Sequence, residues 1–255
     1  MLSLSVTVGH WDIFLLVLVR VAAMVMVAPV LGGRPVPAQV KIGLSLLLAI
    51  LLAPMQDVAG PVFTDLFSIV VSVAGEVVMG LLLGFSATLL FSAVQMAAQI
   101  IGVQIGFSFS NTLDPLSSQG SGFMETLYNM MAVVVFLSLG GHHALIAGLA
   151  QSFDAVPVGR FTLAPVLGDR LVALSAVAFG TGLRLALPVV GTMMLVDCAM
   201  ALVVRAIPQM NVFAVGLPVK MVVGFLTLVA LTPLTVSGVG SLANGVVAGM
   251  ARMLQ

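Results

Sequence analysis

Residues 66–105 run for forty positions with one ionisable residue, Glu76. As a single helix rising 1.5 Å per residue, that stretch is about 60 Å long, near twice a bilayer hydrocarbon core of about 30 Å. It therefore either folds back as a helical hairpin near Gly80–Gly84 or stands beyond the lipid as one helix. Basic residues in connectors help choose. Hairpin parity places Arg34, Lys41, Arg160, Arg170 and Arg252 on one side, against Arg205 and Lys220 on the other. A single span divides them less cleanly, so the count favours the hairpin and a cytoplasmic C-terminus.

Further apolar runs cover 11–31, 42–55, 123–140, 171–204 and 212–236. They are separated by "GGRPVPAQVK", "PMQDVAGPVFTD", "GFSFSNTLDPLSSQGSGF", "GGHH" with "DAVPVGRFTLAPVLGDR", and "IPQMN". With 61% hydrophobic and 7% charged residues, the chain lacks the polar material to cover a water-facing surface, for which about 25% charged is usual. Strand-like alternation is weak, and barrel strands would be shorter and dyadic. The expected class is all-α: a polytopic helical membrane protein, one domain over residues 1–255, without an internal repeat. The N-terminus lacks a basic n-region and a small-residue cleavage site, so the first segment is expected to be retained.

Chemistry-bearing motifs are scarce. Nine acids balance nine bases, which gives no basic face for nucleic acid. The single cysteine, Cys198, excludes an internal disulfide and sits in an apolar run as a small buried residue. His142 and His143 are adjacent and on a helix would point in different directions, which argues against a metal site. No P-loop, GxSxG, HExxH or paired-carboxylate motif occurs. No catalytic, cofactor or metal site is expected.

Arg20, Glu76, Arg184 and Asp197 fall inside apolar runs, where a charge costs at least about 2.5–3.5 kcal/mol on insertion scales. None has an opposite charge three or four residues away, the spacing that meets on one helix face. Their partners must come from another segment, another chain or water, unless the runs do not all lie in lipid. Small and polar residues form a second pattern. Gly84, Thr88, Ser92, Gln95, Gln99, Gly102 and Gly106 share one helical face, and Gly122, Glu125, Asn129 and Ala132 share another. Such faces let helices pack closely, or they line a water-filled path. Both lead into the most polar stretch of the chain, 106–123.

Two stretches carry a family resemblance: "LVRVAAMVMVAPVLGGRPVPAQVKIGLSLLLAILLAP" (18–54) and "LRLALPVVGTMMLVDCAMALVVRAIPQMNVFAVGLPVK" (183–220). They resemble the FliR family, the R component of the flagellar type III export gate, with relatives in injectisomes. The most specific piece is Arg205-x-x-Pro208-Gln209-x-Asn211-x-Phe213, and "VGLPVK", which ends at Lys220, looks flagellar. The resemblance implies a non-enzymatic structural and gating subunit, assembled with P and Q subunits (FliP, FliQ) into a cone in the basal body of the bacterial inner membrane. Unfolded flagellar proteins would pass through that cone. It implies that the B gate protein (FlhB) is a separate chain, since no B-like extension follows Gln255, and that the A export protein (FlhA) is a further partner. It also implies that much of the assembly stands above the membrane plane, and that 106–122 is a plug loop. In that loop Phe107 and Phe109 would seal, and Asn111, Asp114 and Pro115 would shape the turn, although Asp-Pro is also an ordinary turn signal. Arg205, Pro208, Gln209 and Asn211 would form a contact turn or simply a break between helices. A secondary transporter relaying through the intramembrane charges is the main rival, and it predicts inverted repeats.

Overall fold

The computed structural model describes residues 11–33, 35–56, 65–107, 122–160, 166–209 and 211–253, and among these there are helices and turns but no strand. In chain order the helices are α1 (Trp11–Val27), α2 (Ala38–Leu52, continued by a 3-10 turn Ala53–Met55), α3 (Leu66–Ile105), α4 (Phe123–Ser138), α5 (Gly141–Ala155), α6 (Val166–Ala206) and α7 (Val212–Met253). The all-α class is as the sequence implies.

Residues 66–105 form one uninterrupted helix, not a hairpin. Gly80 and Gly84 do not break it; they are the points where α1 lies closest. A Cβ on Gly80 would collide with the Arg20 carbonyl oxygen and come 2.7 Å from Ala23 Cβ, and one on Gly84 would come 2.9 Å from Met24 O and Val27 Cβ. The missing side chains serve helix contact, as small residues do inside membranes. The connector count that placed the C-terminus in the cytoplasm assumed the hairpin, and it loses its basis with it.

A second difference concerns "GGHH" and the residues after it, read from sequence as a connector. Residues 141–155 are a helix, α5, which buries Leu145, Leu149, Ser152 and Phe153. Its apolar residues recur at helical spacing, but four glycine-or-histidine positions and three other polar ones hold its hydropathy below that of the neighbouring runs. Gly140 precedes it in the left-handed region (φ 72°), where a side chain would be strained.

The chain groups into two compact units. The first contains 1–89, 140–174 and 245–255, the second 90–139 and 175–244. In the first, α1 and α2 pack through the turn between them, which Lys41 Nζ closes by donating to Gly32 O at 2.8 Å. The core of this unit holds Leu16, Val17, Val21, Met24 and Leu149. In the second, the end of α3 runs antiparallel to α4, with Phe91 against Phe136 (ring centroids 5.6 Å) and Phe107 against Phe123 (5.5 Å). Helices α6 and α7 form an antiparallel hairpin there: Gly238 meets Leu185, and Lys220 meets Asp197 on either side of the turn at 207–211.

Candidate functional site

The first unit is organised around a buried charge. Arg20 lies on the buried face of α1, and Glu76 on α3 faces it; both are fully inaccessible. Arg20 Nε donates to Glu76 Oε2 at 2.5 Å and Nη2 to Oε1 at 3.2 Å, a two-point pairing of the strongest kind. The remaining donors are used too. Nη1 reaches Ser152 O (3.0 Å) and Ser152 Oγ (3.1 Å), and Nη2 reaches Val156 O (3.0 Å). These contacts match the five N–H donors a guanidinium owns. The Phe153 ring covers the guanidinium carbon at 4.2 Å from its centroid. Glu76 Oε1 also accepts from Gly159 N at 2.9 Å, and Gly159 has φ 73°, so glycine permits the turn that aims this N–H at the carboxylate.

One helix face explains why these groups meet. Glu76, Gly80, Gly84 and Thr88 recur every fourth residue and meet Arg20, Met24 and Val27 in ascending order, so α1 and α3 run parallel there. Thr88 Oγ1 donates to Val27 O at 3.1 Å and to Gly84 O at 2.9 Å. The glycines let the backbones approach until the short Glu76 side chain spans the gap. The sequence pattern that ran from Gly84 through Gly106 thus divides. Gly84 and Thr88 are packing residues against α1, whereas Ser92, Gln95 and Gln99, in the second unit, are exposed. Gly102 and Ala132 are buried, and Glu125 and Asn129 on α4 are half-exposed. Apart from Thr88, the polar members of the two stripes remain at least half-exposed, whereas Gly84, Gly102 and Ala132 are consumed by packing.

The other sequence-identified residues fall as follows. Asp197 on α6 pairs with Lys220 on α7 at 2.5 Å, with both side chains partly exposed. Arg184 is exposed on α6, with no ion pair among the described residues. Arg205, Pro208 and Gln209 are exposed at the α6–α7 turn, and Asn211 caps α7, its Oδ1 accepting from Ala214 N at 3.2 Å. Cys198 is exposed, not buried as its apolar surroundings implied. The rings of His142 and His143 do not diverge but lie 4.1 Å apart. Phe107 is half-buried against Phe123, while Phe109, Asn111, Asp114 and Pro115 lie outside the described residues, as do Arg34 and the side chains of Phe213 and Arg252. Sequence reasoning missed Ser152, Phe153, Val156 and Gly159. Two of these act through backbone atoms, which leave no mark in a sequence. The helical spacing of Leu145, Leu149 and Ser152 was the one available sign of the element carrying them.

Four described helices are long and apolar enough to cross a membrane, or five if α4 and α5 are one broken span. In the most apolar windows of α6 and α7 only 11% of residues are buried within the chain, against 33% for α3, so these two leave most of their surface to lipid or to other chains. An all-α polytopic membrane protein with this much apolar surface open outside its own fold is built to be embedded and surrounded. Residues 11–246 match the family of bacterial export proteins, family 1. The flagellar biosynthetic protein FliR of Escherichia coli is 34% identical over 238 residues, covering 91% of this chain and 90% of that protein. FliR of Bacillus subtilis is 35% identical over 221 residues (85% and 84%), and FliR of Pectobacterium carotovorum 32% over 244 (89% and 89%). The chain belongs to this FliR family of bacterial export proteins and is an integral membrane component of the flagellar export apparatus.

Proposed function

We propose that this chain is a non-enzymatic structural and gating subunit of the flagellar export channel, and that residues 106–122 plug the conduit through which unfolded flagellar proteins leave. The observation that carries this reading is the closed base of that segment. Phe107 and Phe123 meet at 5.5 Å, so the chain leaves and returns at one place. The helices on either side keep Ser92, Gln95 and Gln99 exposed and Glu125 and Asn129 half-exposed, although each helix is otherwise apolar. Polar side chains left open beside a polar segment suit a surface that faces water within an assembly, because facing lipid would cost several kcal/mol per unsatisfied group. Phe107 and Phe109 would form the seal, with Asn111, Asp114 and Pro115 shaping the loop.

The partners on this reading are the P and Q subunits, FliP and FliQ, with the B gate protein FlhB and the A export protein FlhA. Arg205, Pro208, Gln209, Asn211 and Phe213 form the turn through which α6 and α7 would meet neighbouring chains. A charge relay of the transporter kind has less support: Arg20 and Glu76 satisfy each other, Asp197 is held by Lys220, and neither pair leaves an open site for a substrate.

Deleting residues 108–120 tests the plug. Cells that still assemble the gate should leak ions or small molecules, measured as dye or proton permeability across the inner membrane. Permeability equal to wild type with normal assembly refutes the plug.

A further inference from the structure

Helices α6 and α7 each carry a proline near mid-span, Pro188 and Pro233, whereas α3, of nearly equal length, carries none. A proline inside a helix has no N–H to give the carbonyl four residues back, so Arg184 O and Val229 O lose their usual donors. The two breaks lie at one level of the hairpin. Equal steps from the Leu185–Gly238 contact set Pro188 beside Thr235, and equal steps from the Asp197–Lys220 pair set it beside Val229; Pro233 falls between these. Threonines flank both breaks and turn their hydroxyls back onto the helix. Thr192 Oγ1 donates to Pro188 O and Thr232 Oγ1 to Leu228 O, each at 2.9 Å, a bond that favours bending. Pro218, near the start of α7, has no proline level with it on α6.

The hairpin is attached unequally on the two sides of this level. Away from the 207–211 turn it is fixed. There α6 buries Ala178, Leu185 and Ala186, and a Cβ on Gly182 would come 2.6 Å from Ala93 O of α3. On the same side α7 buries Val239 and meets Leu139 of α4 at Gly240. Toward the turn the hold is light. After Val189 and Met193, α6 buries no described side chain, and between Ala214 and Pro233 α7 buries two glycines, Gly216 and Gly224. The seat of this half is the C-terminal end of α3. A Cβ on Gly224 would come 2.7 Å from Ile105 Cγ1, and one on Gly106, where φ is 98°, would come 2.8 Å from Leu217 Cδ1. Asp197 and Lys220 tie the two helices of this half to each other.

We propose that residues 189–232 are an arm that swings as one body on a hinge at Pro188 and Pro233. Seated, the arm rests through Leu217 and Gly224 on Gly106 and Ile105; lifted, it leaves the end of α3 free. The missing backbone donors make the bend cheap at that level, and the two glycine contacts make a shallow seat that separates without stranding a charge or a hydrogen bond. The device deepens the gating reading and rests on it for the event that lifts the arm, the passage of an exported protein.

The test uses the full-length chain, with Cys198→Ser, in the assembled apparatus. Spin labels at exposed Leu202 on the arm and exposed Met130 on α4 report arm against base, and labels at Leu202 and Leu226 report within the arm. Singly labelled chains, run alongside, remove any signal between copies. When an exported flagellar protein is stalled in the apparatus by a fused domain that cannot unfold, the arm–base distance should shift and the distance within the arm should not. An unchanged arm–base distance overturns the proposal, as does an equal shift within the arm. Pro188→Ala with Pro233→Ala restores both N–H donors and should abolish the shift; a shift as large as in the parent chain overturns the hinge. Ile105→Cys with Gly224→Cys should lock the seat when oxidised, with secretion lost and then recovered on reduction. Undiminished secretion with the disulfide formed overturns the lifting of the arm. If that pair fails to fold, the distances in the parent chain still decide. Neither readout is leakage, so failure here leaves the plug test untouched, and failure of the plug leaves these distances standing.

Discussion

Arg20–Glu76 and Asp197–Lys220 each join two of the described helices, and they hold together for different reasons. Arg20–Glu76 is sealed: no water reaches either side chain, and backbone atoms after α5 complete it. Asp197–Lys220 crosses the α6–α7 hairpin with both partners partly open. A sealed pair is held by geometry, because either charge left alone would be stranded in an apolar interior; an open pair can exchange its partner for water or for another chain. The first unit is therefore fixed internally, whereas the outer surface of α6 and α7 is left available.

The largest effect expected follows from removing half of the sealed pair. Arg20→Met or Glu76→Ala should destabilise the chain by about 3–5 kcal/mol, seen as loss of folded protein on thermal titration in detergent. Replacing both residues by Met should recover much of that loss, since an apolar pair strands no charge. A double variant as unstable as the singles would show that the pair's bonds to Ser152 and Val156, and not its mutual charge, hold the unit. Next in size, Gly80→Leu should push α1 from α3 and cost about 1–3 kcal/mol or more, because the nearest atoms are backbone and cannot yield. Gly168→Ala, where a Cβ meets nothing within 4 Å, is the matched control and should unfold at the wild-type temperature. Smallest is the open pair: Lys220→Ala should change stability by about 1 kcal/mol or less. A loss as large as that of Arg20→Met would erase the distinction between the two regions.

Much of the site was legible before folding, though not its arrangement. That Arg20 and Glu76 need partners outside their own helices follows from the absence of opposite charges at helical spacing. That they are each other's partner depends on α1 and α3 running parallel in contact, which no local pattern encodes. Gly80 and Gly84 show the same limit. A glycine is equally a place to bend and a place to approach, and only the facing Ala23 and Met24 decide between them. The stripe through Thr88, Ser92, Gln95 and Gln99 was visible by period, but the point where it changes from packed to exposed depends on where α1 ends, at Val27.

By itself, the sequence determined the solvent, the class and the family. Charge scarcity and long apolar runs leave helices in a membrane as the only way to satisfy the backbone, and the ordered stretches 18–54 and 183–220 carry the family's signature. Tertiary structure alone decided that 66–105 is one helix, that 141–155 is another, and which charges are sealed or open. The physical reason is that hydropathy is a sum over neighbours in sequence, whereas a buried guanidinium is completed by atoms 56 to 136 residues away.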